Sequence, residues 1–370
     1  MSGSPSTPSS DVRAERRGAL GLLTLDRPQA LNALTLEMLR ALSGQLIRWA
    51  DDPAIGVVLL RGASRAGKPT AFCAGGDIRF FHLAWHEGDP RMEDFFTEEY
   101  ALDHLVHRYP KPVIALMDGI TMGGGMGIAQ GANLRVLTEH SRLAMPETRI
   151  GLFPDVGGGW FLSRCPGRLG EYLGLTGASL GAADAMAAGW GDVLVAAARQ
   201  EALVDAVAGA SRADGSGAVE AARAFALEAG TAPLAAHRAA IDHAFAAPTV
   251  AGIVQALDAM QDDFARSTRE ALAVGSPLML CVALAQIRRA RHLGLADALR
   301  LERGLMRQAF RLRPGVPEPV EGIRALAIDK DQAPRWNPSR LEDVDAVLVE
   351  AHFDSPWPNH AHPLRALQDH

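Results

Sequence analysis

The stretch Lys111–Gly159 reads KPVIALMDGITMGGGMGIAQGANLRVLTEHSRLAMPETRIGLFPDVGGG, and the rest of the chain is organised around it. The apolar run Val113–Met117 has strand character, Gly123, Gly124 and Gly125 follow, and a helix is expected through Ala129. Glycines at a strand-to-helix turn let backbone approach a ligand closely. The first N–H groups of such a helix have no intrahelical partner and can face a developing negative charge. A second strand is expected at Leu134–Leu137, and two acids follow it, Glu147 and Asp155.

A second glycine turn lies upstream, AFCAGGDI at Ala71–Ile78, after a strand expected at Ile55–Leu60. Backbone donors from two separate turns, converging on one oxygen, are the physical requirement for an oxyanion hole. Either turn alone reads as an ordinary tight turn. The two together, followed by Pro146-Glu147, point to a site.

The order of FCAGGDI, GITMGGG, MPET and GLFPDVGGG resembles the crotonase (enoyl-CoA hydratase/isomerase) superfamily. The later segments ITMGGG, MPETRIGLFPDVGGG and IDKDQAPRW are similar to its 3-hydroxyisobutyryl-CoA hydrolase branch. The resemblance runs from about Leu20 to about Phe353. It implies an α/β fold, a crotonase-like spiral of repeated β-β-α units followed by a helical C-terminal region. It implies a disordered N-terminus over 1–11, a core over 12–192, helices packing on the core over 193–353, and a mobile tail over 354–370.

The resemblance also implies chemistry: hydrolysis of a short branched 3-hydroxyacyl-CoA thioester, as in valine catabolism. The Gly76 and Gly124 N–H groups would hold the carbonyl oxygen. Glu147 would act as general base or as a nucleophile forming a mixed anhydride. Asp155 would orient Glu147, share in proton transfer or hold the substrate hydroxyl, and Glu99 would contact substrate. Hydratases of the superfamily carry a glutamate three residues after the hole-forming glycine, where this chain has Gly127. An enoyl-CoA hydratase or isomerase using Glu147 alone, and an acyl-CoA binder without turnover, remain as alternatives. No cofactor is expected, since coenzyme A is part of the substrate, and family members often form trimers.

Composition bounds the rest. The 370 residues are 48% apolar with a net charge of −6, which argues against nucleic-acid binding and a basic membrane patch. Cys73, Cys165 and Cys281 are odd in number and far apart, as expected of buried thiols in a reducing compartment. The first ten residues are Ser/Pro-rich without an apolar core. Arg13, Arg16 and Arg17 faintly suggest a presequence, but Asp11 and Glu15 interrupt it, and a cytoplasmic location is expected.

Four further patterns read as structure. GASRAGK at 62–68 opens like a phosphate-binding loop, but Pro69 replaces its metal-binding hydroxyl. The resemblance puts that loop, with Arg65 and Lys68, near coenzyme A. Gly125, Gly127 and Gly131 match a loose GxGxxxG, too far from the preceding strand to bind a dinucleotide. His82 and His86 share a helix face with no third metal ligand evident. GASLG at 177–181 matches a nucleophile elbow, but a helix end precedes Ser179, which reads as an N-cap.

Overall fold

The computed structural model describes residues 11–65 and 70–369. Its nine strands are β1 (Val12–Arg17), β2 (Leu20–Leu25), β3 (Val57–Gly62), β4 (Ala71–Cys73), β5 (Val113–Met117), β6 (Ile120–Met122), β7 (Leu134–Leu137), β8 (Arg142–Ala144) and β9 (Val193–Leu194). They form a six-stranded sheet, ordered β1-β2-β3-β5-β7-β9, and a three-stranded sheet, ordered β4-β6-β8. Among the described strands only the β1–β2 pair is antiparallel.

The chain alternates between the two sheets. Strands β3, β5 and β7 enter the large sheet, and β4, β6 and β8, the next strand in each case, enter the small one. Helices α2 (Ile78–Glu87) and α3 (Arg91–His107) follow β4, and α4 (Gly124–Gln130) follows β6. This is the β-β-α spiral that the resemblance implies. Because the small sheet is parallel, its strands all end at one edge, and ligands collect at the carboxyl ends of such strands.

Alternation along the large sheet explains its burial on both faces. Leu20, Leu22, Val57, Leu59, Ile114 and Leu116 face a smaller core shared with α8 (Gln200–Ala210) and α9 (Ala218–Arg223). Leu23, Leu25, Val58, Leu60, Ala115 and Met117 face the main core. Helix α1 (Leu36–Ala50) buries Leu36, Leu39, Leu42, Leu46 and Trp49 there, as their spacing predicts. Thr35 caps it, accepting from the Met38 N–H at 3.2 Å, a bond whose loss costs about 1 kcal/mol.

Helices α5 (Gly158–Ser163), α6 (Leu169–Thr176) and α7 (Ala182–Ala187) lead out of the spiral. After α10 (Arg238–Ala244), α11 (Val250–Met260) and α12 (Asp263–Val274) come two long helices, α13 (Pro277–Ala290) and α14 (Leu295–Arg311). Ser276 caps α13 by accepting from the Met279 N–H at 3.3 Å. Helix α13 packs on α5 and α6, and α14 packs on α3, so the helical region joins the main core. Helices α15 (Glu318–Ile323) and α16 (Ala346–Ala351) complete the fold.

Several expectations need correction. The strand expected at Ile55–Leu60 begins at Val57, because Ile55 closes a turn onto the Asp52 carbonyl. Arg13, Arg16 and Arg17 lie in β1, paired across to Thr24, Gly21 and Leu20, so these arginines belong to the folded sheet. The stretch after Phe353, expected to be mobile, is docked. Leu364 is buried, the Ala296 N–H donates to Asp369 at 2.9 Å, and Arg300 donates to the Leu367 carbonyl at 2.9 Å. Helix α7 takes Gly181 as its N-cap with no side-chain bond, so Ser179 is not the cap. Residues 1–10 and Lys68 lie outside the described residues.

Candidate active site

The three strands of the small sheet each deliver one part of a site at their C-terminal ends. Gly75-Gly76 follow β4, Gly123-Gly124 follow β6, and Pro146-Glu147 follow β8. Register aligns them, with Cys73 opposite Thr121 and Met122 opposite Ala144. A Cβ added to Gly75 would stand 3.6 Å from the Gly124 nitrogen, so the two glycine turns meet. Gly75 and Gly123 have φ of +98° and +49°, which favours glycine at both turns.

Two N–H groups at this meeting are unused by the framework. Leu34 bridges Gly76 in parallel through the Leu34 N–H to the Gly75 carbonyl and the Asp77 N–H to the Leu34 carbonyl, which leaves the Gly76 N–H outside the pairing. Gly124 is the first residue of α4, where N–H groups lack intrahelical acceptors. The first turn is held by LDRPQALN. Arg27 bonds Asp77 at 2.8 Å, and the Asn32 amide donates to the Ala71 carbonyl at 2.7 Å. Cys73 lies buried under the same turn, its thiol pushed up to about 12 by burial, the state of an inert cysteine.

The glycines border a pocket of about 520 Å³. Glu99, Glu147 and Asp155 line it with Phe81, Phe96 and Met122. A Cβ on Gly123 would stand 3.2 Å from Glu147 Oε1, and one on Gly124 would overlap Glu99 Oε1. The two carboxyls therefore flank the glycine backbone. Ala325, Leu326, Gln332 and Pro334 form part of the lining, which explains the position of the late segment EGIRALAIDKDQAPRW. Arg324 stiffens that segment by bonding Glu321, Asp329 and Asp331 at 2.6–2.9 Å.

Burial dominates the electrostatics. Glu99 and Glu147 are held well above the ordinary carboxylate range by desolvation first, then by the charge on Asp155. Asp155 is raised by burial to about 6, opposed by the Tyr100 hydroxyl, which donates to it at 2.7 Å. Asp155, at about 6, is thus placed to ionise near neutral pH, while burial opposes ionisation of Glu147. Glu147 is buried beside a second acid and has one oxygen without a partner.

Three supporting residues escaped the sequence reading. Glu302, on α14, accepts from the Gly157 N–H at 2.7 Å and the Gly159 N–H at 3.0 Å, clamping the loop that carries Asp155. Gln286, on α13, donates to the Pro154 carbonyl at 2.6 Å and to Glu302 at 3.0 Å. Asp103 is buried one turn beyond Glu99 on α3. Acids on a charged helix ordinarily read as solvated, and nothing in the spacing marks these as internal.

The discounted patterns resolve as follows. Ser179 lies at the pocket lining but follows a helix ended by Gly177 at φ +62°, so no strand presents it as a nucleophile. His82 is buried and faces the Val320 carbonyl at 3.2 Å, rather than forming a polar face. Among the described residues no group of three or more His, Cys, Asp and Glu side chains is arranged to hold a metal ion. No single helix among them is long and apolar enough to cross a membrane.

Two sheets fed alternately by one chain, with glycine turns meeting at the strand ends, define a crotonase-fold protein. The chain belongs to the enoyl-CoA hydratase/isomerase family, whose model matches residues 20–353. It is 38% identical to the mitochondrial 3-hydroxyisobutyryl-CoA hydrolase of Xenopus tropicalis, over 92% of this chain and 88% of that one. It is 36% identical to 3-hydroxyisobutyryl-CoA hydrolase 1 of Arabidopsis thaliana, over 93% and 92%. A solved structure described as a carnitinyl-CoA dehydratase, from Mycobacterium thermoresistibile, superposes with a TM-score of 0.87 at 37% identity, covering 95% of this chain and 98% of that one. The cytoplasmic location expected from the N-terminal composition is overturned, since similar vertebrate relatives are named as mitochondrial enzymes.

Proposed function

We propose that the chain hydrolyses 3-hydroxyisobutyryl-CoA, a short branched 3-hydroxyacyl-CoA thioester, to the free acid and coenzyme A. The relatives named as hydrolases support this substrate. The observation that carries hydrolysis over hydration is at Gly127. A Cβ there would come within 2.6 Å of Val156 Cβ and 2.8 Å of Asp103 Oδ2, closer than real side chains approach. No glutamate fits where the resemblance puts a hydratase's second acid. The pocket instead draws its second acid, Asp155, from another loop.

On this reading the Gly76 and Gly124 N–H groups form an oxyanion hole for the thioester oxygen. Losing one such donor costs about 2.7–4 kcal/mol in the barrier. Environments that push two carboxyls apart assign an acid and a base. Asp155, steadied by Tyr100, takes a proton from water. Glu147, whose burial favours the protonated form, protonates the departing thiolate, and a proton passing from Asp155 to Glu147 restores the pair. Glu99 contacts the acyl group. Coenzyme A enters as part of the substrate, and water is the only co-reactant. The role in valine catabolism follows from the substrate, and assembly as a trimer or a multiple of one follows from the resemblance.

The test compares 3-hydroxyisobutyryl-CoA with isobutyryl-CoA. Buried polar groups reject an analogue lacking the hydroxyl by up to about 10⁴–10⁵-fold. The hydroxylated thioester is hydrolysed far faster, and Asp155→Ala, which removes the proposed base, slows hydrolysis of both. Equal kcat/KM values for the two thioesters would remove the 3-hydroxyacyl group from the reading.

A further inference from the structure

Glu99, Asp103 and His107 recur every four residues along α3 and so share one face. At 1.5 Å per residue each step covers about 6 Å along the helix. Glu99 lines the substrate pocket, Asp103 is 3% exposed, and His107 is half-buried. The stripe therefore leads from the reacting centre outward.

Asp103 lacks a structural explanation. Neither of its oxygens meets a hydrogen-bond partner, which is costly for a buried carboxyl. Both Asp103 and His107 line a second, small cavity of about 10 Å³, room for roughly one water. Gly127, Gln130, Val156 and Trp160 complete much of its wall. Because position 127 has no side chain, the Asp103 carboxyl has space beside α4.

The reaction supplies a reason for such a stripe. In thioester hydrolysis the water oxygen bonds the acyl carbon and the carbon–sulfur bond breaks. One water proton ends on the thiol sulfur. The acid formed ionises near neutral pH and frees the other. One proton must leave for each turnover.

We propose, resting on the hydrolase reading, that Glu99, Asp103 and His107 form a proton exit along α3, with the small cavity bridging its last two members. The charges around it set the direction. Burial first, then the charges of Glu99, Asp155 and Glu302, raise the Asp103 carboxyl well above its ordinary range. Burial first, then His104, Arg108 and Arg164 against Asp369, lowers the His107 imidazole, which favours its accepting form. A proton leaving Asp103 for His107 is replaced from the Glu99 side.

The test uses the full chain in weak buffer, mixed with 3-hydroxyisobutyryl-CoA for a single turnover. Thiol is followed with a thiol reagent and the proton with an indicator dye. In the parent the two signals coincide. In Asp103→Asn and in His107→Gln, which keep shape and polarity, the proton lags the thiol by about tenfold or more in rate, and added imidazole removes the lag. Coincident signals in both variants overturn the exit path while leaving the hydrolase reading intact. Absence of thiol release by the parent overturns that reading, and the exit path with it.

Discussion

The Tyr100 hydroxyl donates a 2.7 Å hydrogen bond to Asp155 Oδ2 inside a pocket where burial raises the Glu99 and Glu147 carboxyls well above their ordinary range. That bond opposes the burial that raises Asp155 to about 6. The dependence of kcat/KM on pH therefore rises through about 6 as Asp155 ionises. Tyr100→Phe removes a group that lowers this value, so the rising limb moves to higher pH. A limb that stays in place in Tyr100→Phe, or persists in Asp155→Asn, removes Asp155 as the base.

Glu147→Gln keeps shape and hydrogen bonding but has no proton to give. Turnover is expected to fall by about 10²–10⁴-fold, the usual contribution of a general acid or base. Binding of coenzyme A, measured by calorimetry, should stay within a few-fold of the parent. Parental turnover in a folded variant would end the proposed role.

Gly127→Glu tests why the site has no second glutamate of the hydratase kind. The new side chain would press on Val156 and Asp103, both buried. Overpacking of this kind costs about 1–3 kcal/mol or more. The variant should melt earlier and gain no hydration of crotonyl-CoA. Efficient hydration by a stable Gly127→Glu protein would show that the space exists.

Much of this site was legible in the sequence because glycine, proline and acid stood in a fixed order. Gly76, Gly124, Glu147 and Asp155, named from that order, all come to one pocket. The small sheet was not legible. Strands β4, β6 and β8 have three residues each, too few for an alternating pattern to register. Strand β1 was hidden by its charges, which suit an edge strand. Glu302 and Gln286 were out of reach for a different reason. Their partners, Gly157 and Pro154, are 145 and 132 residues away in sequence, and only packing of α13 and α14 brings them together.

The buried acids also set how stability depends on pH. Burial raises Glu302 to about 8, and Glu99, Asp103 and Glu147 are raised as well. Up to about pH 8, Glu302 holds a proton in the folded chain that the unfolded chain has already lost. Stability then falls as pH rises toward that value, and the raised Glu99, Asp103 and Glu147 act in the same direction. Thermal melting should show a lower midpoint at pH 8.5 than at pH 7, and a smaller difference in Glu302→Gln. A midpoint that rises over this range contradicts the picture of a protonated cluster.

Two glycine N–H groups and the Glu147–Asp155 pair are proposed to cleave a thioester rather than hydrate a double bond. The most direct measurement mixes the protein with 3-hydroxyisobutyryl-CoA and a thiol reagent, with crotonyl-CoA hydration followed in parallel. Catalytic release of free coenzyme A from the first and no appreciable hydration of the second are expected. Hydration of crotonyl-CoA without thiol release from 3-hydroxyisobutyryl-CoA would contradict that proposal.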